Sequence, residues 1–382
     1  MSISPSRRRF IIGALAAGAL AGTAAGAAAF LSGDEFGGVP SGKRLERLRA
    51  SPNWRDGGFR NLEPMRLPEH PKSQTAVMRD FFFGGNPRRK PSVAIPSVKT
   101  DLSSLGDDRF VWLGHSGVFL RFAGLRILID PALTAAFPTR GFFEPFRGAG
   151  IYQPADMPEA DLLIITHDHY DHLDYRTVSA LRSKVKHAVM PLGVGAHFER
   201  WGWEDDRITE LDWWESARFG GLTLTCVPSQ HFSGRRMTGP AAQTLWAGFV
   251  LQGGGAAIYH SGDSAAGGHF AKIAEAFGPL DLAFLENGQY DADWPGVHLL
   301  PEDWKKTAAL LNAKSLVTIH NSKYCLCKHA WDDPLKHAEA SARELGLHLL
   351  TPRIGEPLPL DGSAVSTAWW EGLEPDQGQK TA

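Results

Sequence analysis

At 382 residues, 43% hydrophobic and 21% charged, the chain can bury a sizeable core and shows no disordered or fibrous bias. Its 40 Lys+Arg against 42 Asp+Glu leave a net charge of -2, which argues against nucleic acid as a partner. Three cysteines, Cys226, Cys325 and Cys327, form no disulfide framework, and Cys226 inside "LTLTCVPS" reads as a small buried hydrophobe.

Residues 1–31 place Arg7, Arg8 and Arg9 ahead of a long run of small apolar residues. Ser6 to Ile11, "SRRRFI", resembles the twin-arginine pattern of bacterial export signals, which predicts a periplasmic protein. If the segment is not cleaved it becomes a membrane tether. Residues 32–105 are rich in Gly, Pro and Arg and read as an extension with few regular elements that wraps over a main domain. Within it, "DFFFGGNPRRK" joins Phe81, Phe82 and Phe83 to Arg88, Arg89 and Lys90, a pairing suited to contact with an anionic membrane surface. The main domain is expected over 106–355. It opens with "RFVWLGHSGVFLRF" and "LRILID", short strands split by "AGL", and then alternates strands with helices. "DLLIITH", "HAVMPLG", "LDLAFLE" and "SLVTIH" read as strands, and "DYRTVSALRSKV", "HFAKIAEAFG" and "PEDWKKTAALLNA" as helices. Two meanders turn at Gly220-Gly221 and at residues 253–255. Meander, strand and helix in two successive runs predict a layered α/β sandwich. Residues 356–382 read as a C-terminal tail.

Four of the strand-like runs end in an acid or a histidine: "DLLIITH" at His167, "LTLTCVPSQH" at His231, "AAIYHSGD" at Asp263 and "SLVTIH" at His320. Ligand sites of α/β sheets gather beyond the strand carboxyl ends, so these residues are expected to converge. The first run continues as "THDHYDHLD", adding His169, Asp171 and His172. Imidazole and carboxylate are the usual ligands of zinc, with iron and manganese as alternatives. His167, His169 and His231 make one set, and Asp171, His172 and His320 a second. Asp263 between them would bridge two divalent metal ions.

"HDHYDHLD", a distant histidine, the aspartate of "SGD" and a late histidine resemble the metallo-β-lactamase superfamily. That resemblance implies a four-layered αβ/βα sandwich. Over about residues 75 to 355, "VWLGHSGVFLRFAGLRILIDPAL", "ELDWWES", "PSQHFSGR", "YHSGDS" and "IHNSKY" are similar to the branch of N-acylphosphatidylethanolamine-hydrolysing phospholipase D and sugar-phosphate lactonases. "IHNSKYCL" departs from the "IHWGTF"-like form of that phospholipase. The resemblance implies a dinuclear metal-dependent hydrolase, with Asp171 binding metal and orienting the attacking water as the catalytic carboxylate. It places His115 of "WLGHSG" near the metals and has Asp130 of "ILIDP" supporting a ligand rather than binding metal. His298 of "GVHLLPED", just before a helix, is a candidate substrate contact. The substrate ranked first is a lipid phosphodiester of the N-acylphosphatidylethanolamine type. A small lactone or ester comes second, and a metal-binding scaffold without catalysis is disfavoured by the complete ligand set. Oligomeric state is not legible.

Overall fold

Successive side chains of a strand point to opposite faces, and in β3 (Arg109–Gly114) both faces are apolar. Phe110 and Trp112 enter one large buried cluster while Val111 and Leu113 enter another. A strand apolar on both faces must be covered on both, and that requirement organises the molecule. The computed structural model describes residues 30–373 except 140, 237 and 238, so all but the last two positions of the expected export segment lie outside the described residues. Among the described residues, no helix is long and apolar enough to cross a membrane.

Two seven-stranded sheets pack face to face. In the first, β3, β4 (Gly117–Phe122) and β5 (Leu125–Ile129) form an antiparallel meander, continued by parallel β6 (Ala160–Ile164), β7 (Val185–Pro191) and β8 (Ile208–Leu211). The second repeats this plan. β9 (Ser216–Phe219), β10 (Leu222–Val227), β11 (Gly248–Gly253) and β12 (Ala256–His260) run antiparallel, and β13 (Leu282–Glu286), β14 (Ser315–Ile319) and β15 (Leu349–Leu350) follow in parallel. The meander expected from "RITEL" to "PSQH" is thus shared between sheets, because β8 ends the first and β9 opens the second.

Ile129, Leu162 and Ile164 of the first sheet meet Leu224, Cys226, Phe249, Phe284 and Ile319 of the second between the layers. The outer face of the first sheet packs on α3 (Tyr175–Leu181) and α4 (Gly195–Arg200) through Val178, Leu181 and Phe198. The outer face of the second packs on α5 (His269–Phe277), α6 (Pro301–Leu311) and α7 (Asp333–Leu345) through Ile273, Trp304, Leu311 and Ala338. The result is a four-layered αβ/βα sandwich.

The extension after residue 31 and the segment from 356 to 373 hold more regular structure than their composition predicts. The extension contains α1 (Gly42–Ala50), the hairpin β1–β2 (Trp54–Arg55, Gly58–Phe59) and α2 (Gln74–Phe83). In α1 only Leu48 is buried and five of the nine residues are charged, so no broad apolar stripe announces the helix. The boundary expected at 355 falls short. β16 (Pro357–Pro359) adds an antiparallel strand beside β3, and Leu358, Leu360, Trp369 and Trp370 join the inter-sheet core. The basic cluster also differs from expectation. Arg88 pairs with Asp332, and Arg89 donates to the carbonyls of Cys327 and Phe81, which leaves Lys90 as the exposed cation of the three.

Candidate metal centre

Strand ends deliver the chemistry. β6 runs into the loop carrying His167, His169, Asp171 and His172, while the chain beyond β10, β12 and β14 supplies His231, Asp263 and His320. Three residues at this rim adopt left-handed backbone that side chains with a Cβ disfavour: His115 (φ 56), Asp130 (φ 42) and His320 (φ 66). Such strain concentrates where a side chain must be aimed against local preference. Gly262, just before Asp263, is also left-handed at φ +58, and a Cβ there would lie 2.6 Å from the Ala247 carbonyl oxygen. Only glycine lets the chain turn here.

The seven residues expected as ligands come together in two sets. His169 Nδ1 lies 2.9 Å from His167 Nε2 and 3.2 Å from His231 Nε2, and Asp263 Oδ2 lies 3.8 and 3.7 Å from those same two Nε2 atoms. In the second set, Asp171 Oδ2 is 3.2 Å from His320 Nε2 and 3.7 Å from His172 Nε2. Asp263 reaches this set too, with Oδ1 3.1 Å from His172 Nε2 and Oδ2 3.1 Å from His320 Nε2. Its carboxylate therefore faces both.

The residues fit divalent cations. Ligands at about 2.0 to 2.1 Å from a tetrahedral ion stand about 3.3 Å apart, close to the separations here. His172 Nε2 and Asp263 Oδ1 are buried, close to each other, and complete no hydrogen bond, so both are orphaned toward the centre. The far side of three of the rings is engaged, as ligand histidines require. His167 Nδ1 meets Thr166 Oγ1 at 3.0 Å, His172 Nδ1 meets Asp130 Oδ2 at 2.8 Å, and His231 Nδ1 meets the Val297 carbonyl at 2.9 Å.

Protonation follows from the same geometry. Burial holds His167 and His231 well below the usual histidine range, which keeps a lone pair free for a cation. Burial opposes charge on Asp171 and Asp263 as well, yet nearby imidazoles, His172 foremost, hold both carboxyls well below the carboxylate range. His172 goes the other way: against burial, Asp263, Asp171 and Asp130 push it well above the histidine range.

Asp130 accepts from His172 and from the Thr166 hydroxyl at 2.6 Å, so it orients a ring and stands outside both sets. His115 Nε2 sits 2.8 Å from Asp171 Oδ2, and its ring packs 4.2 Å from that of His320. His298 lies at the rim, its Nδ1 2.7 Å from Glu286 Oε1. Glu286 and Asn61 were not singled out by sequence. Glu286, fully buried at the end of β13, is pushed well above the carboxylate range, first by burial and then by Asp263. Its only sequence signal is an acid ending a strand-like run, as Asp263 does. Asn61, in the extension, receives the His231 N–H at 3.1 Å and donates to the His231 carbonyl at 2.7 Å. No local motif marks it.

The profile described as "Beta-lactamase superfamily domain" matches residues 125–321, just over half of the chain. An uncharacterised protein of Mycobacterium tuberculosis is 32% identical over 330 residues, covering 84% of this chain and 87% of its own. N-acyl-phosphatidylethanolamine-hydrolyzing phospholipase D 1 of Caenorhabditis elegans is 33% identical over 231 residues, 56% of this chain and 63% of that protein. A metallo hydrolase of Ignicoccus hospitalis superposes with a TM-score of 0.52 at 18% identity, covering 65% of this chain and 97% of its own. With the fold, the paired His/Asp sets and these relatives together, the chain belongs to the metallo-β-lactamase superfamily and is a metal-dependent hydrolase.

Proposed function

We propose that the protein is a phospholipase D-type phosphodiesterase acting on lipids of the N-acylphosphatidylethanolamine kind. One observation carries this reading beyond the hydrolase class. A run of aromatic rings leads inward from the surface as far as Tyr170: Phe82 to Phe81 at 5.3 Å, Phe81 to Phe143 at 6.1 Å, Phe143 to Phe137 at 6.0 Å and Phe137 to Tyr170 at 6.2 Å. Tyr170 stands between the ligand candidates His169 and Asp171. A lipid keeps its acyl chains against apolar surface while its phosphate reaches the centre; a small lactone needs no such lane. The name of the Caenorhabditis relative supports the same substrate class.

His167, His169, His231 and Asp263 would hold one divalent ion, and Asp171, His172 and His320, which cluster with His115 and have Asp263 3.1 Å from two of their imidazoles, the other. When bound, two such ions supply a water nucleophile at neutral pH and neutralise charge on the transferred phosphoryl group. Zinc, iron and manganese all accept this donor set. Asp171, 14% exposed at its side chain and fixed by His115, can take a hydrogen bond from the attacking water and align it. The exposed rings of Phe82, Phe83 and Phe142 would rest in a lipid interface. The "SRRRFI" segment would take the protein to the periplasm by the twin-arginine route.

The test is product analysis of labelled N-acylphosphatidylethanolamine turned over in oxygen-18 water by metal-loaded protein. Label in phosphatidic acid beside free N-acylethanolamine is expected. Label in a freed fatty acid would mean carbonyl attack, and brisk lactone opening without lipid turnover would replace the phosphodiesterase by a lactonase.

A further inference from the structure

We propose that Arg235 is a positioning residue of the metal centre, and that residues 34–37, just after the expected export segment, are the latch that holds it. The proposal rests on the metal-dependent reading of the centre and is independent of the substrate.

Residues 165–174 connect β6 to α3 without regular structure, so the four ligand candidates they carry need holding from outside. Arg235 supplies that hold. Its Nη1 donates to the carbonyls of Asp168 at 3.2 Å and Leu173 at 2.7 Å, which brackets the ligand-bearing stretch near both ends. The guanidinium also lies 4.7 Å from the centre of the Tyr170 ring, and the Tyr170 hydroxyl donates back to the Arg235 carbonyl. Asp168, which neither set uses, closes the clamp: its Oδ1 accepts from the Gly234 N–H at 2.6 Å. The same short segment begins at His231, so the clamp sets two ligand-bearing stretches in register with each other.

The other edge of the guanidinium faces the extension. Nε and Nη2 donate to the Glu35 carbonyl at 2.9 and 2.7 Å, so all three nitrogens of Arg235 are spent on main-chain oxygens. Arg235 is 2% exposed; burial lowers it from the ordinary arginine value, while Tyr170, Asp168 and Asp174 favour its charge, and it stays a cation at neutral pH. The latch is seated as closely as the side chain it holds. Trp201 Nε1 donates to the Asp34 carbonyl at 2.8 Å, Arg236 Nη1 donates to the Gly37 carbonyl at 3.2 Å, and the buried Phe36 ring meets Tyr170 edge-on at 6.4 Å. Gly37 has left-handed backbone at φ +67, and a Cβ there would lie 2.1 Å from Nδ1 of His197, whose Nε2 meets Asp168 Oδ2 at 3.2 Å. Latch and ligand loop therefore touch by two routes, through Arg235 and through His197.

The probe is cobalt(II), titrated into the full chain without substrate and read by visible absorption and by competition with a chelator. Two ions per chain are expected for the unaltered protein. Arg235→Lys keeps the charge, but one ammonium cannot span three carbonyls, so it should weaken at least one ion about 10- to 100-fold and change its absorption. Gly37→Ala alters no group of the clamp; by unseating the latch it should produce the same change of absorption with a weakening of about tenfold. Joining the two should add little, because both act through the guanidinium. Leu335→Ala, in the core beneath α7, should lower the melting temperature while cobalt affinity and absorption stay as they were. An Arg235 with a merely structural role would behave in that way too. Arg235→Lys with unaltered cobalt binding thus overturns the positioning role, and Gly37→Ala with unaltered binding overturns the latch. If circular dichroism shows Arg235→Lys unfolded, Gly37→Ala decides. No cobalt in the unaltered protein overturns the proposal together with the metal-dependent reading, whereas an N-acylphosphatidylethanolamine that is not cleaved leaves the cobalt result standing.

Discussion

Asp263 is the residue on which the two sets depend, because its carboxylate lies within 3.8 Å of four imidazoles. Asp263→Ala should lower turnover at least about a hundredfold, as loss of a central electrostatic group does, with circular dichroism unchanged. Asp130→Ala acts one bond further out. It releases His172 Nδ1 and the Thr166 hydroxyl, and chelator competition should show metal affinity falling about 10- to 100-fold. The seven ligand candidates were legible because histidines and acids clustered after apolar strands are hard to explain otherwise. Glu286 was not, since an acid at the end of "LDLAFLE" gains meaning only from His298, which the fold brings to it from twelve residues away. Asn61 stands 170 residues from the histidine whose backbone it holds, beyond any local pattern.

At the scale of elements, the extension acts as a strap with a defined load. Asn61 satisfies both backbone groups of His231, which follows β10, and its Oδ1 also takes the Trp246 indole N–H at 2.9 Å. Asn61→Ala strands the His231 N–H and C=O and should cost about 1 to 3 kcal/mol of stability. The same variant should lose metal faster to a chelator, whereas a variant of the exposed Leu67 in the same strap should not. Strands and the helices after them were readable from period and turn residues. α1 and α2 were not: α2 buries no residue and is announced only by Ser73, whose hydroxyl caps the Ala76 N–H at 3.3 Å. β16 escaped because two prolines in three residues argue against a strand, yet an edge position tolerates them.

For the whole molecule, buried neutral histidines set the acid limit. Burial lowers His269 to about 3 and His329 to about 4, while an unfolded histidine titrates near 6.5. Below pH 6.5 the unfolded chain takes up protons that the folded chain refuses, so stability falls with pH until the folded values are reached. Each group should cost roughly 2 kcal/mol at pH 5, and His269→Gln should flatten the fall of melting temperature between pH 6.5 and 5. The repeated plan of the two sheets also has a consequence for the centre. The β6 loop of one sheet gives four of the seven ligand candidates, and the chain beyond β10, β12 and β14 of the other gives three. Bound ions thus rivet one half of the sandwich to the other, and saturating metal at a thousandfold over its dissociation constant should add about 4 kcal/mol per ion. Stripping the metal should speed hydrogen exchange at both rims together while the outer helices stay protected. Proteases cut where a chain opens, so the lifetime of this protein should track the metal supply around it: plentiful ions preserve the stock, and scarcity clears it.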